Sequence, residues 1–240
     1  MKIIEHSAPK LPSVKMVCDD CIDAKLTEHE AINTCFSRNS TTIVSGGTGS
    51  GKTTFIIKMI KGVFKRCFHD IILMMPEESM RSIAEKDNPF KKIDPENIYT
   101  EFNVDTLSEV YSKIEDNAAE GYHTLLIIDD WGNALKDKQN EYILNRIFLK
   151  QRHMRVSTFV LVQNYFMMGK KLREIVTNVI LFNTNKSQNF KVFREQFNLT
   201  QEQFQSLLKM MPTAHDYVIL NLKYKRMFID FNEVSFDDEN

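Results

Sequence analysis

The string Gly46-Gly47-Thr48-Gly49-Ser50-Gly51-Lys52-Thr53-Thr54 follows one apolar run, Thr41 to Val44, and precedes another, Phe55 to Ile60. This is the strand, glycine loop and helix of a P-loop nucleotide site, the pattern G-x-x-x-x-G-K-[ST], in which each position has a separate task. The glycines let backbone N–H groups curl around phosphates, Lys52 reaches the β- and γ-phosphates, and the Thr53 hydroxyl is the Mg²⁺ ligand. The helix that starts at the loop adds its positive dipole end to the same anion site. A flexible Gly/Ser linker needs neither the Lys-Thr pair nor flanks of strand and helix length. Such a chain has to be built around an α/β nucleotide-binding core.

A second apolar run, Thr124-Leu125-Leu126-Ile127-Ile128, ends in Asp129-Asp130. Continuous runs of this kind are central parallel strands covered on both faces, and acids at their C-terminal tips sit where an open α/β sheet places its ligands. Asp129 fits the Walker B role beside the Mg²⁺ held by Thr53, and Asp130 is placed to polarise an attacking water. Adjacent strand residues point to opposite faces, so the two acids should not share one role. Val156 to Val162 reads as a further buried strand that ends in Gln163, whose amide either senses the γ-phosphate and the attacking water or simply caps the strand.

Between these motifs the chain has an ordinary α/β rhythm. Asp70 to Met75 reads as a short buried strand stopped by Pro76, Asn97 to Phe102 as another, and Val179 to Phe182 as one more. Val104 to Ala119, Asp137 to Lys150, Ser187 to Phe197 and Thr200 to Met211 have helical spacing, the last with Thr200 as N-cap. Tyr217 to Leu222 and Arg226 to Phe231 alternate around Lys223-Tyr224-Lys225, the pattern of a hairpin joined to the sheet. The expected organisation is an N-terminal arm over 1–39, a P-loop ATPase domain over 40–234 and an acidic tail over 235–240.

At 240 residues, 42% hydrophobic and 26% charged, the chain has the composition of one globular domain. No apolar run approaches the ~18 residues that span a membrane, and Glu5, His6 and Pro9 do not suit a signal peptide, so a cytosol-like compartment is expected. A net charge of −1 gives no global attraction to nucleic acid, and any such binding must come from local basic segments. Cys18 and Cys21 have the spacing of half a zinc site, with His29 and Cys35 as conceivable further ligands; reduced, partly buried thiols are the plainer reading. A GTP switch would need Asn-Lys-x-Asp, and Asn185-Lys186-Ser187-Gln188 lacks the acid. An ABC-type signature is missing, and a small-molecule kinase would have no need of the Asp-Asp pair followed by a Gln-tipped strand. ATP with Mg²⁺ is the nucleotide expected.

The combination of Gly-Gly-Thr-Gly-Ser-Gly-Lys-Thr, Leu-Leu-Ile-Ile-Asp-Asp, Arg-His-x-x-x-Ser-Thr and a strand ending in Gln resembles the FtsK/HerA superfamily. More narrowly, it resembles the compact genome-packaging ATPases of large double-stranded DNA viruses and virophages, of the poxvirus type, over about residues 40–230. The resemblance implies a RecA-like fold of the additional-strand type, with a mainly parallel sheet, helices on both faces and a C-terminal β-hairpin. It implies an ATP-driven translocase of double-stranded DNA that packages a viral genome as a homo-oligomeric ring, a pentamer or hexamer. It leaves open a capsid or portal partner and a virion-associated state beside the host cytoplasm or viral factory. By the same resemblance Lys52, Asp129, Asp130 and Gln163 are catalytic, and an arginine before the Gln strand reaches a neighbour's nucleotide: Arg152, with Arg155 as second choice. Cellular members usually carry Glu where this chain has Asp130.

Gly169-Lys170-Lys171-Leu172-Arg173 places three positive charges on what reads as a turn. Lys170, Lys171 and Arg173 are therefore candidate contacts to DNA phosphates in a ring's pore, or else the solvated start of a helix.

Overall fold

The computed structural model describes residues 26, 30–183, 194 and 197–235. The first described helix, α1 (Glu30–Cys35), puts Ile32 and Cys35 into the core, and Phe36 follows directly behind it. The chain then enters β1 (Thr41–Ser45), passes the glycine loop, and continues as α2 (Lys52–Lys61), which buries Phe55, Ile56 and Met59. β2 (Asp70–Met74) stops at Pro76, whose ring and missing N–H suit the entry to α3 (Glu77–Arg81). β3 (Ile98–Tyr99) is only two residues long, because Pro95 draws the segment before it into a 3₁₀ turn. The longer strand expected over 97–102 is therefore an edge stub.

α4 (Val104–Ala119) opens with a capping box between Asn103 and Thr106 and buries Leu107, Val110, Tyr111 and Ile114 at helical spacing. β4 (Thr124–Asp129) is buried throughout. α5 (Lys138–Leu149) is capped by the Asp137 carboxylate, which accepts from the N–H groups of Gln139 and Asn140. β5 (Val156–Val162) is again wholly buried, and α6 (Lys170–Ile175) leads to β6 (Asn178–Phe182). The helix expected over Ser187–Phe197 falls almost entirely outside the described residues. α7 (Gln201–Lys209) has Thr200 as N-cap in a capping box with Gln203. β7 (Tyr217–Asn221) and β8 (Arg226–Ile229) form the hairpin, and β9 (Asn232–Val234) adds a further antiparallel strand that the sequence pattern does not show.

The nine strands among the described residues form one sheet in the order β3-β2-β4-β5-β1-β6-β7-β8-β9. β3 to β6 in that order are mutually parallel, and β7, β8 and β9 continue the sheet antiparallel. One face packs against α4, α5 and α7 through residues such as Leu107, Leu144 and Phe204, and the other against α1 and α2 through Phe36, Ile56 and Phe159. Burial on both faces explains why the central strands are unbroken runs of Ile, Leu and Val rather than alternating ones. The fold is thus a mainly parallel α/β sheet with helices on both faces and a C-terminal hairpin. No described helix is long and apolar enough to cross a membrane.

Cys18, Cys21 and His29 lie outside the described residues. Cys35 is buried, and burial pushes its thiol up to about 12. Among the described residues no group of His, Cys, Asp and Glu is arranged to hold a metal on its own.

Candidate nucleotide site

The sheet order sets the geometry of the site. β5 lies between β1 and β4, pairing with both, so Gln163 emerges between the glycine loop after β1 and the two acids after β4. All of these tips lie at the C-terminal edge of the parallel strands, where backbone groups and helix N-termini converge. A cleft of about 670 Å³ opens there, and its walls include Thr48, Lys52, Thr53, Asp129, Asp130 and Gln163.

The loop's curvature depends on two glycines. Gly49 and Gly51 hold φ of 76° and 103°, values that L side chains rarely adopt, and Gly51 is the N-cap from which α2 starts. The Lys52 Nζ donates to the carbonyls of Gly46 at 2.8 Å and Gly47 at 3.1 Å, which keeps the ammonium over the loop. Burial lowers the Lys52 pKa, and the carboxylates of Asp129 and Asp130 pull it back upward. His215, from the segment before β7, brings its Nδ1 to 3.1 Å from the Ser50 carbonyl and so braces the loop from the far side.

Thr53 and Asp129 meet directly: the Thr53 hydroxyl donates to Asp129 Oδ2 at 2.7 Å. Asp129 is only 4% exposed, and burial pushes its carboxyl up to about 6 against the opposing pull of the Thr53 hydrogen bond and the Lys52 charge. A hydroxyl and a desolvated carboxylate held together are two hard oxygen donors, a set that fits Mg²⁺ and would relieve the cost of burying the charge.

Asp130 differs from its neighbour in every respect. It is exposed, it takes a left-handed φ of 65°, and its Oδ2 accepts a hydrogen bond from the Ser79 hydroxyl on α3 at 2.8 Å. The left-handed turn after β4 lets both acids stay at one cleft although strand alternation alone would separate them. Trp131 stacks on Phe102 with ring centroids 5.6 Å apart, lines the same cleft, and keeps its indole N–H buried without a partner. Gln163 is exposed at the cleft wall.

Other expected residues lie elsewhere. Arg152 and Arg155 precede β5, at the N-terminal edge of the sheet; seven strand residues at about 3.3 Å each separate them from Gln163, on the order of 20 Å. Neither arginine completes the site of its own chain. Arg155 is committed to the Gly121 carbonyl at 2.8 Å, while Arg152 is exposed. The basic turn after Gln163 is the helix α6, and Arg173 does not reach outward: its guanidinium lies over the rings of Tyr165 and Phe166 at 5.2 and 4.8 Å. Lys170 and Lys171 are exposed, with Lys170 3.7 Å from Glu174. Sequence reasoning missed Ser79 and His215. Ser79 stands in the first turn after Pro76, a helix-start signal that marks a sheet-edge loop; nothing near His215 marks it.

Comparison with solved structures bears on the fold alone at the identities found. The DNA-packaging ATPase B204 from Sulfolobus Turreted Icosahedral Virus superposes with a TM-score of 0.60 at 13% identity, over 80% of this chain and 97% of that one. The genome packaging NTPase B204 from Sulfolobus turreted icosahedral virus 2, in complex with AMPPCP, gives 0.56 at 13% identity over 80% and 96%. EssC (ATPases 2 and 3) from Geobacillus thermodenitrificans gives 0.55 at 8% identity, over 84% of this chain and 41% of that one. No curated protein sequence matches the chain significantly. The family model described as Poxvirus A32 protein matches residues 31–237, from α1 through the hairpin and beyond β9, and the chain belongs to that family.

Proposed function

We propose that this chain is an ATPase that drives double-stranded DNA into a viral capsid, working as a homo-oligomeric ring of five or six copies. The observation that carries the reading is the sheet order: Gln163 stands between the glycine loop and Asp129, so a bound triphosphate has a loop, a metal-binding pair and a polar sensor on one cleft. Family membership over 31–237 and the likeness in fold to the DNA-packaging ATPase B204 support the cargo.

In this reading the backbone N–H groups of Gly46 to Thr54 cradle the phosphates, and Lys52 exchanges the Gly46 and Gly47 carbonyls for β- and γ-phosphate oxygens. Thr53 and Asp129 would hold Mg²⁺, which would supply positive charge beside the phosphates. Asp130, steadied by Ser79, accepts a hydrogen bond from the water that attacks the γ-phosphorus, and Gln163 fixes that water or a γ-oxygen. The water oxygen bonds to phosphorus as the bond to the β–γ bridging oxygen breaks, and the proton that the water gives up passes to the Asp130 carboxylate, leaving ADP and phosphate. Preorganised donors of this sort are worth about 10²–10³ each in turnover.

Arg152 has two mutually exclusive roles open to it, the arginine of a neighbouring copy's site or a contact to a DNA phosphate. The first imposes a condition on the ring: the glycine loop of one copy would have to face the N-terminal sheet edge of the next. Tyr142 and Leu149, 65% and 63% exposed at i, i+7 on α5, give that ring an apolar contact surface. Lys170 and Lys171 remain candidates for DNA, while the stacked Arg173 is better placed to pack Tyr165.

The test is ATP hydrolysis by the purified chain with and without long double-stranded DNA. Stimulation by DNA is expected, abolished in Lys52→Ala. Absence of ATPase under both conditions, with phosphoryl transfer to a small acceptor instead, would sink the reading.

A further inference from the structure

The net charge of −1 conceals a separation of charge between the two edges of the sheet. Asp129 and Asp130 mark the C-terminal edge. At the opposite edge, where the parallel strands begin and β7 turns into β8, two clefts open that are lined by cations. The smaller, about 190 Å³, has Arg38, Arg152 and Lys223 in its walls and no acidic residue among those that line it. The larger, about 670 Å³, includes Lys65, Arg66 and Lys92. Its two acids are already engaged: Asp70 accepts from the side-chain amides of Asn97 and Asn117, and Asp94 caps the turn at Glu96. Glu120, at the C-terminus of α4, is a further acid on this side, and Glu233 is ion-paired to Arg226.

Three further observations bear on this edge. Asn39, 2% exposed, lines the smaller cleft and has its Nδ2 buried without an acceptor, and the Arg38 Nε is likewise buried and unpartnered. Buried donors are normally satisfied, so two orphans beside a cationic cleft indicate a missing acceptor. The backbone also bends in the left-handed region at Arg66, Arg155 and Lys225, with φ of 64°, 47° and 52°, although glycine would adopt those turns more easily. Finally, His123 between the clefts is held down to about 4, first by burial and then by the charges of Arg38, Arg155 and His69, which is consistent with the cations of this edge.

We propose that this N-terminal edge of the sheet is the surface on which duplex DNA lies, with the Arg38–Asn39–Arg152–Lys223 cleft seating a backbone phosphate. The inference rests on the packaging reading and moves the main DNA contact away from Lys170 and Lys171. Length favours a duplex over a single nucleotide. From β2 to β7 there are five strand intervals of about 4.8 Å each, roughly 24 Å, along which a duplex presents about 14 charges. The smaller cleft has room for a phosphate group among its cations. Tyr224, 52% exposed between Lys223 and Lys225, adds an aromatic ring to the same turn. Contacts of this kind read no sequence, as a motor that moves along an entire genome requires.

The test is duplex binding, followed by anisotropy of a labelled random-sequence 40-mer across a KCl series. Three proteins are compared: the unaltered chain, Lys65→Glu/Lys223→Glu/Lys225→Glu, and Lys170→Glu/Lys171→Glu. All five lysines are exposed, so the changes leave the core intact, and the far-UV circular dichroism spectrum reports on the fold. The edge variant is expected to lose about tenfold or more in affinity, and its log K against log [salt] slope to flatten by about 2–3, since each phosphate contact contributes about 0.9. The Lys170/Lys171 variant should stay near the unaltered chain. An edge variant with unchanged affinity and slope overturns the surface while leaving the packaging reading standing. An unaltered chain that fails to bind duplex even at low salt overturns the packaging reading itself. An edge variant that keeps its DNA affinity but loses basal ATPase also overturns the proposal, because the cleft then meets a neighbour's nucleotide.

Discussion

Thr53 and Asp129 stand 76 residues apart in the chain and share a 2.7 Å hydrogen bond, hydroxyl to carboxylate, at the mouth of the glycine loop. The bond ties the start of α2 to the tip of β4 across the intervening β5, and it assembles two oxygen donors before any ligand arrives. Thr53→Val and Asp129→Asn should each reduce Mg²⁺-dependent ATP affinity by about 10–100-fold. Trp131 lines the same cleft and reports the binding: its fluorescence should change on adding Mg²⁺-ATP to the unaltered chain, and both titrations should shift to higher nucleotide concentration in the variants. Titrations that coincide would separate the pair from the metal.

Asp130 and Ser79 should divide binding from turnover. Asn tolerates the left-handed backbone that Asp130 adopts, so Asp130→Asn keeps the turn while removing the base. Turnover is expected to fall by about 10²–10⁴ with nucleotide binding retained. Ser79→Ala, which frees the carboxylate without neutralising it, should cost less, within about tenfold. Single-turnover hydrolysis measures both, and equal rates for Asp130→Asn and the unaltered chain would take Asp130 out of the chemistry.

The position of Arg152 calls for a mixing experiment. Lys52→Ala should be inactive alone, whereas Arg152→Ala, with the arginine on the DNA edge, should keep basal ATPase and lose stimulation by DNA. Mixing the two under assembling conditions should then give no activity beyond that of the Arg152→Ala protein itself. An Arg152→Ala protein that is inactive alone and recovers in the mixture would place Arg152 at a neighbour's nucleotide and take it off the DNA edge.

His123 makes a pH prediction with a definite sign. Its folded pKa, about 4, lies below the usual value of 6.5, so between those limits the unfolded chain binds the proton and stability falls as pH drops. Asp129 works in the opposite sense, since its pKa is raised from 3.8 to about 6 on folding and protonation there favours the folded chain. The comparison therefore has to be between variants: His123→Gln should lose less in Tm than the unaltered chain between pH 7 and pH 5. Parallel Tm curves would show that His123 carries no such linkage.

Much of the site was legible because each element of it is written in consecutive residues. The glycine loop, the Leu-Leu-Ile-Ile-Asp-Asp run and the strand ending at Gln163 are local patterns, and the fully buried strands they belong to tolerate only apolar residues. What the sequence hides is register and depth. The spacing of Lys170, Lys171 and Arg173 cannot show that Arg173 folds back over Tyr165 and Phe166, because that packing depends on residues brought together by the turn after β5. Arg152 stands close to Gln163 in sequence, yet a strand of seven residues carries it to the other edge of the sheet. His215 reaches the glycine loop from 165 residues away, a contact created only when β7 pairs with β6. The basic edge is invisible for the same reason: Arg38, Lys65, Arg152 and Lys223 are scattered through the sequence and converge only at the strand starts.

The central claim is that hydrolysis at this cleft moves the chain along duplex DNA. The most direct measurement is ATP-dependent displacement of a fluorescent third strand from a triplex on linear duplex DNA. The account predicts displacement by the unaltered chain with Mg²⁺-ATP, after a delay that lengthens with distance from the free end, and none by Lys52→Ala or Asp130→Asn. Robust DNA-stimulated ATP hydrolysis with the third strand left in place would contradict it.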